Sequence, residues 1–168
     1  EAIQHPLNNQ KIGTNTRLYM YYYGNAGRTG RLTVNLIDAK TGRDIAVIDD
    51  VNVKYNDTLK ECIDTSLKKV SGKASWIGID NSETHPRSWD YLNSITVNGV
   101  KYLSSAVVSS SANAKYYHVA DKADDSRAGW SWNFSGDETD FPETAMSDQR
   151  IQNRRELYLF YWDSETEE

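Results

Sequence analysis

Hydrophobic and polar positions alternate most clearly between Arg31 and Gly72. Leu32, Val34 and Leu36 are separated by polar residues, the period-two pattern of a half-buried strand. Ala39–Arg43 (AKTGR) places a glycine where a hairpin turn needs one. Ile45, Val47, Val51 and Val53 continue as a second strand, and Asp49-Asp50 interrupts the alternation as a bulge or turn would. From Thr58 to Val70 the period changes. Leu59, Ile63, Leu67 and Val70 share one helical face. Thr58 and Glu61 have the spacing of a capping box, in which each side chain satisfies an orphan backbone N–H of the other. Lys68 and Lys69 lie in the last turn, where the helix dipole favours cations, and Gly72 follows as a stop. Cys62 lies beside the apolar face and reads as a buried structural thiol.

The flanking segments are less regular. Residues 1–16 lack periodicity and read as a loose arm, and 17–23 (RLYMYYY) as a strand. Ala74–Leu92 reads as a long loop with at most one short strand. Ile95–Val97 and Val100–Leu103 flank Asn98-Gly99, a dipeptide that accepts positive φ at both turn centres. Ala106–Ser110 and Tyr116–Val119 read as two strands, Gly129–Phe134 (GWSWNF) as another, and Asp137–Gln149 as an acidic irregular stretch. Glu156–Trp162 (ELYLFYW) is apolar on both faces, which predicts a central strand. Residues 163–168 form an acidic tail. The expected architecture is α+β: one domain over 17–162, a mostly antiparallel sheet with one helix, β-grasp-like with an inserted β/loop segment.

Composition narrows the function classes. A net charge of −5 with scattered basic residues argues against nucleic acid, whose backbone rewards clustered Lys and Arg. The nearest approach to a cluster is Arg150, Arg154 and Arg155. No apolar run nears the roughly 18 residues of a membrane helix, so no membrane insertion is expected. The chain opens at Glu1 without an initiator Met or signal peptide, which reads as a mature or trimmed chain. A single cysteine excludes an intrachain disulfide. The 11 Tyr and 5 Trp, with abundant Asn, Ser and Thr, lean toward an extracellular or cell-surface binding domain.

Two pieces of the chain resemble a known family. Asn56–Leu67 (NDTLKECIDTSL) is similar to the helix entry of a bacterial cell-surface domain family related to the C-terminal β-domain of cobalamin carriers such as transcobalamin and intrinsic factor. Gly129-Trp130, the turn Asn133–Gly136 and the strand Leu157–Trp162 resemble that family's last third. This sequence departs from it at Asn133, which is followed by Phe134 and Ser135 before the glycine, and in the long segment Lys73–Lys122. The resemblance implies a surface-associated module for a ligand or partner. It does not imply corrinoid binding, which belongs to carriers with a second, helical domain.

Several constellations are candidates for chemistry. Trp130 and Trp132 lie two apart on a strand and point to one face. Exposed, they would stack against sugar rings; their bulk favours burial. Trp89, Asp90, Arg87 and His85 form a polar-aromatic group on an expected loop, a ligand site or a loop pinned by one Trp. Asn133 adjoins the tryptophan pair. His5, His85 and His118 lack zinc-ligand spacing, and His118 reads as structural. Asp137, Glu138, Asp140 and Glu143 could ligate calcium or serve as a glycosidase pair, but their spacing is that of a solvated acidic loop. Sequons occur at Asn56 and Asn133. No nucleophile elbow or phosphate loop is present.

These features predict a non-enzymatic ligand-binding or adhesion module, with a glycan or protein partner, no cofactor and no metal. The ligand contacts expected are Trp130, Trp132, Trp89, Asp90, Arg87, His85 and Asn133. The alternatives are a carbohydrate-active enzyme using Asp137, Glu138 or Asp140, and a protein-interaction or structural domain of a larger surface protein.

Overall fold

The computed structural model describes residues 28–78, 89–104 and 128–163, and the backbone of 79, 106–111 and 114–119. The expected N-terminal arm, the strand 17–23, His85, Arg87 and residues 164–168 lie outside the described residues.

Strands β1 (Thr29–Asp38) and β2 (Arg43–Lys54) form the expected antiparallel hairpin. Its turn passes through Gly42 at φ 66°, and the Asp38 carboxylate accepts the Lys40 N–H at 2.9 Å. Pairing jumps from Leu32–Val51 to Val34–Ile48, so β2 carries one extra residue at Asp49-Asp50. Asp50 takes φ 57° there, a conformation that Asp tolerates better than most residues. The bulge keeps Ile48, Val51 and Val53 all buried despite the broken alternation.

Helix α1 (Leu59–Lys69) is closed at both ends by its own sequence. Thr58 Oγ1 accepts the Glu61 N–H at 3.2 Å, and Glu61 Oε2 accepts the Thr58 N–H at 2.7 Å. At the other end Ser71, not Gly72, takes the left-handed conformation, at φ 57°. The Gly72 N–H then returns 2.8 Å to the Leu67 carbonyl, closing a Schellman motif. Gly72 is required for a different reason: a Cβ there would lie 2.8 Å from the Thr96 carbonyl oxygen. Leu59, Cys62, Ile63, Ser66 and Leu67 form the buried face. Val70, expected on that face, is exposed because the chain has left helical geometry at this residue.

The segment expected to be mostly loop holds two strands. β3 (Lys73–Ile79) pairs antiparallel with β4 (Trp89–Val97), and β4 with β5 (Val100–Leu103). Ala, Ser and Gly dilute the β signal in β3, and its pairing with β4 supplies what local propensity lacks. Asn98 and Gly99 take φ 52° and 78°, the two positive values of a type I′ hairpin turn. β6 (Ala106–Ser111) and β7 (Ala114–Val119) pair as a separate hairpin, with His118 opposite Val107.

β8 (Ala128–Asn133) and β9 (Glu156–Asp163) return to the first hairpin. The resulting sheet has the order β2-β1-β9-β8. β9 runs antiparallel to β8 and parallel to β1, and it is central as its two apolar faces predict. The architecture is α+β, a mostly antiparallel set of sheets with one helix among the described residues. A single core joins Leu32, Val34 and Leu36 of β1, Ile63 and Leu67 of α1, Ile95 of β4, and Leu157 and Leu159 of β9. Each such fully buried side chain contributes about 1.5–3 kcal/mol relative to exposure. Met146 and Ile151, in the irregular stretch before β9, are also buried. Backbone bonds from Leu59 to Gln149 and from Ile151 to Asp57 fasten that stretch to the helix entry.

Candidate functional site

The register of β8 against β9 decides what the aromatic residues can do. Trp130 pairs with Tyr161 and Trp132 with Leu159, so both tryptophans share the inward face of Leu157 and Leu159. They are 9% and 6% exposed. Their indole N–H groups donate to the Tyr102 and Thr144 carbonyls at 3.3 and 3.2 Å. Tyr102 and Tyr161 pack on Trp130 with centroids 6.1 and 5.1 Å away. These rings are core, as their bulk favoured, so Trp130 and Trp132 are corrected as ligand contacts: they offer no open stacking platform.

Asn133 is buried and organises the following turn. Its Nδ2 donates to the Asp137 and Asp140 carbonyls at 2.6 and 3.1 Å, and its Oδ1 accepts the Gly136 N–H at 2.9 Å. Gly136 sits at φ 75°, where an added Cβ would lie 3.1 Å from the Tyr158 ring. A side chain so enclosed is a scaffold, not a ligand contact or a glycan acceptor.

Trp89 and Asp90 begin β4 instead of lying on a loop. Trp89 is half-buried, edge-on to Tyr91 at 6.2 Å. Asp90 lies 4.0 Å from Lys60, which also approaches Asp64 at 3.6 Å and the face of Trp76 at 5.4 Å. The Trp76 indole donates to Asp64 at 2.9 Å. Asp90 thus belongs to an ionic and aromatic network that ties α1 to β3 and β4.

The acidic loop satisfies itself. Asp137 accepts from the Thr139 N–H at 2.9 Å and its hydroxyl at 2.7 Å, and these bonds hold its carboxyl below the usual range. Asp140 accepts from Ser135 at 2.9 Å. Among the described residues no group of His, Cys, Asp and Glu is arranged to hold a metal ion. Cys62 is fully buried, and loss of hydration pushes its thiol up to about 12, with the Asp57 and Glu61 charges adding to this. It is unreactive as a nucleophile at neutral pH.

Two surfaces were not anticipated. Trp162 pairs with Gly129 and faces outward, the residue being 37% exposed. Its indole N–H donates to Ser131 Oγ at 2.9 Å. Phe141, 59% exposed, lies beside it with centroids 6.1 Å apart and planes tilted 46°. The strand period places residue 162 on the face opposite Leu157 and Leu159, together with the buried Phe160, so its face was legible in the sequence and its exposure was not.

The second surface is a cleft of about 400 Å³ at the other end of β9, lined by Arg28–Arg31, Tyr55 and Gln152–Arg155. Parallel strands share their starting ends, so the entries to β1 and β9 meet here, together with the exit of β2. Arg31 pairs with Asp50 at 2.9 Å, and the Arg154 guanidinium lies 4.9 Å from the Phe134 ring centroid. Arg150, expected with Arg154 and Arg155, instead reaches the Asn56 carbonyl at 2.6 Å. A scan against protein-family models, a search of curated proteins and a search of solved structures each returned no match.

Proposed function

We propose that this domain is a non-enzymatic ligand-binding or adhesion module of an extracellular or cell-surface protein, and that it binds carbohydrate through exposed aromatic rings. The observation that carries the reading is the pair Trp162 and Phe141. One ring is anchored on a central strand by Ser131, and the second is set beside it on the adjoining loop. A ring face held in this way stacks against the C–H face of a sugar without first losing rotamer freedom. The ligand contacts move from Trp130 and Trp132 to these two residues.

A β-grasp-like arrangement and kinship with the surface-domain family belong to the same proposal. They are supported by the order β2-β1-β9-β8, the parallel β1–β9 pair and the helix that follows the first hairpin. The test is a glycan array followed by calorimetric titration of the glycans retained. Trp162→Ala and Phe141→Ala should each weaken binding by about five- to tenfold, with the thermal melt little changed. Absence of any glycan ligand, or unchanged affinity in both variants, overturns the reading and favours a protein partner.

A further inference from the structure

The arginine-lined cleft is chemically unlike the rest of the molecule. The chain carries a net charge of −5, yet among the described residues the cleft lining includes Arg28, Arg31, Arg154 and Arg155 and no carboxylate. Asp50, outside the lining, pairs with one of the four. Like charges gathered in a concave site repel one another and focus a positive potential into it. An oxyanion relieves that repulsion, and the planar guanidinium fork matches a carboxylate or sulfate with two parallel hydrogen bonds.

The cleft is also pre-built. The Gln152 N–H donates to the Tyr55 carbonyl at 2.9 Å, and the Arg155 carbonyl accepts the Thr33 N–H at 2.8 Å. Buried Ile151 anchors the loop between them and α1. Gln152 sits at φ 52°, a left-handed conformation that few residues other than Gly, Asn and Asp adopt readily. Backbone strain of this kind persists where surrounding structure over-determines it, and it clusters at ligand sites. The segment carrying Arg154 and Arg155 is therefore held to both β1 and the end of β2.

We propose that this cleft is a binding site for an acidic saccharide, with its carboxylate or sulfate groups held by Arg28, Arg31, Arg154 and Arg155. Tyr55, Gln152 and Asn153 bring a phenol and two carboxamides to the same lining, which suits the hydroxyls of a sugar. At about 400 Å³ the cleft falls within the volume range of small-ligand sites. It lies at the opposite end of β9 from Trp162, so it stands independently of the aromatic pair.

The experiment is calorimetric titration of the full chain with oligosaccharides of matched length, one sulfated, one of uronic acid and one neutral, beside an oligoglutamate. The expected result is binding of at least one acidic saccharide, weakening with salt, and none of the neutral one at this site. Arg154→Gln with Arg155→Gln should reduce affinity at least about tenfold, and Thr58→Ala at the helix cap, outside the cleft lining, should leave it unchanged. The corresponding double lysine variant should fall between, because it keeps the charge and loses the fork. If the glutamine variant fails to fold, Arg28→Gln, on a different segment, should show a loss in the same direction. No binding of either acidic saccharide, equal binding by the glutamine variant, or oligoglutamate binding as tightly would each overturn the proposal.

Discussion

At its first residue, Glu156, β9 leaves the polar cleft of Arg154 and Arg155; six residues later, roughly 20 Å along the strand, it carries Trp162 beside Phe141. Both ends rest on the same hydrophobic middle, Leu157 and Leu159, yet they are assembled differently. The aromatic end is built from sequence neighbours: β8, the loop after it and the end of β9. The arginine end draws on the entry of β1, the exit of β2 and the approach to β9, segments far apart in the chain. A hairpin brings nearby residues together, whereas a parallel pair aligns the starts of strands that are distant in sequence. Charge gathered in the second way leaves no cluster in the sequence itself.

The comparison can be broken at its centre. Leu159→Ala removes a fully buried side chain from the middle of β9 and should cost about 2–5 kcal/mol in denaturant unfolding. Because both ends depend on that strand, binding at the aromatic pair and at the cleft should weaken together. Loss at one end only would show that the ends are supported independently of the middle. Single-site losses at Trp162 or at the arginines are the reciprocal result, with one surface affected and the core intact.

The helix cap supplies a control remote from both surfaces. Thr58→Ala removes the Oγ1 acceptor of the Glu61 N–H and should lower stability by about 1 kcal/mol. Affinities at both ends should not change, and a coupled change would mean that helix stability feeds into a site.

The smallest effect concerns pH. Glu61 is held below its ordinary 4.5, first by the bond from the Thr58 backbone and secondarily by the Thr58 hydroxyl and the Arg150 and Lys60 charges, against a desolvation cost. A carboxylate with a depressed folded-state pKa stabilises fully above its unfolded value. That contribution is lost as pH falls through the folded value. The window therefore lies below about pH 4.5. Glu61→Gln should flatten the stability profile there and leave its slope at neutral pH unchanged, measured as melting temperature against pH.

What the sequence determined alone was local. The hairpin of β1 and β2 with its bulge, the capping box of α1 and the Asn98-Gly99 turn are each encoded within a few adjacent residues, because backbone sterics and short-range hydrogen bonds suffice to choose them. The central place of β9 was legible for the same reason, since a strand apolar on both faces is satisfied only between neighbours. Tertiary structure decided the rest. It raised β3 from a loop to a strand by pairing it with β4, turned Trp130 and Trp132 into core and Trp162 outward, and sent Arg150 to Asn56 while gathering Arg28 and Arg31 with Arg154 and Arg155. Those outcomes depend on strand register and on the parallel β1–β9 pairing. Both are set by the burial of distant apolar faces against one another, a condition that no short stretch of the chain contains.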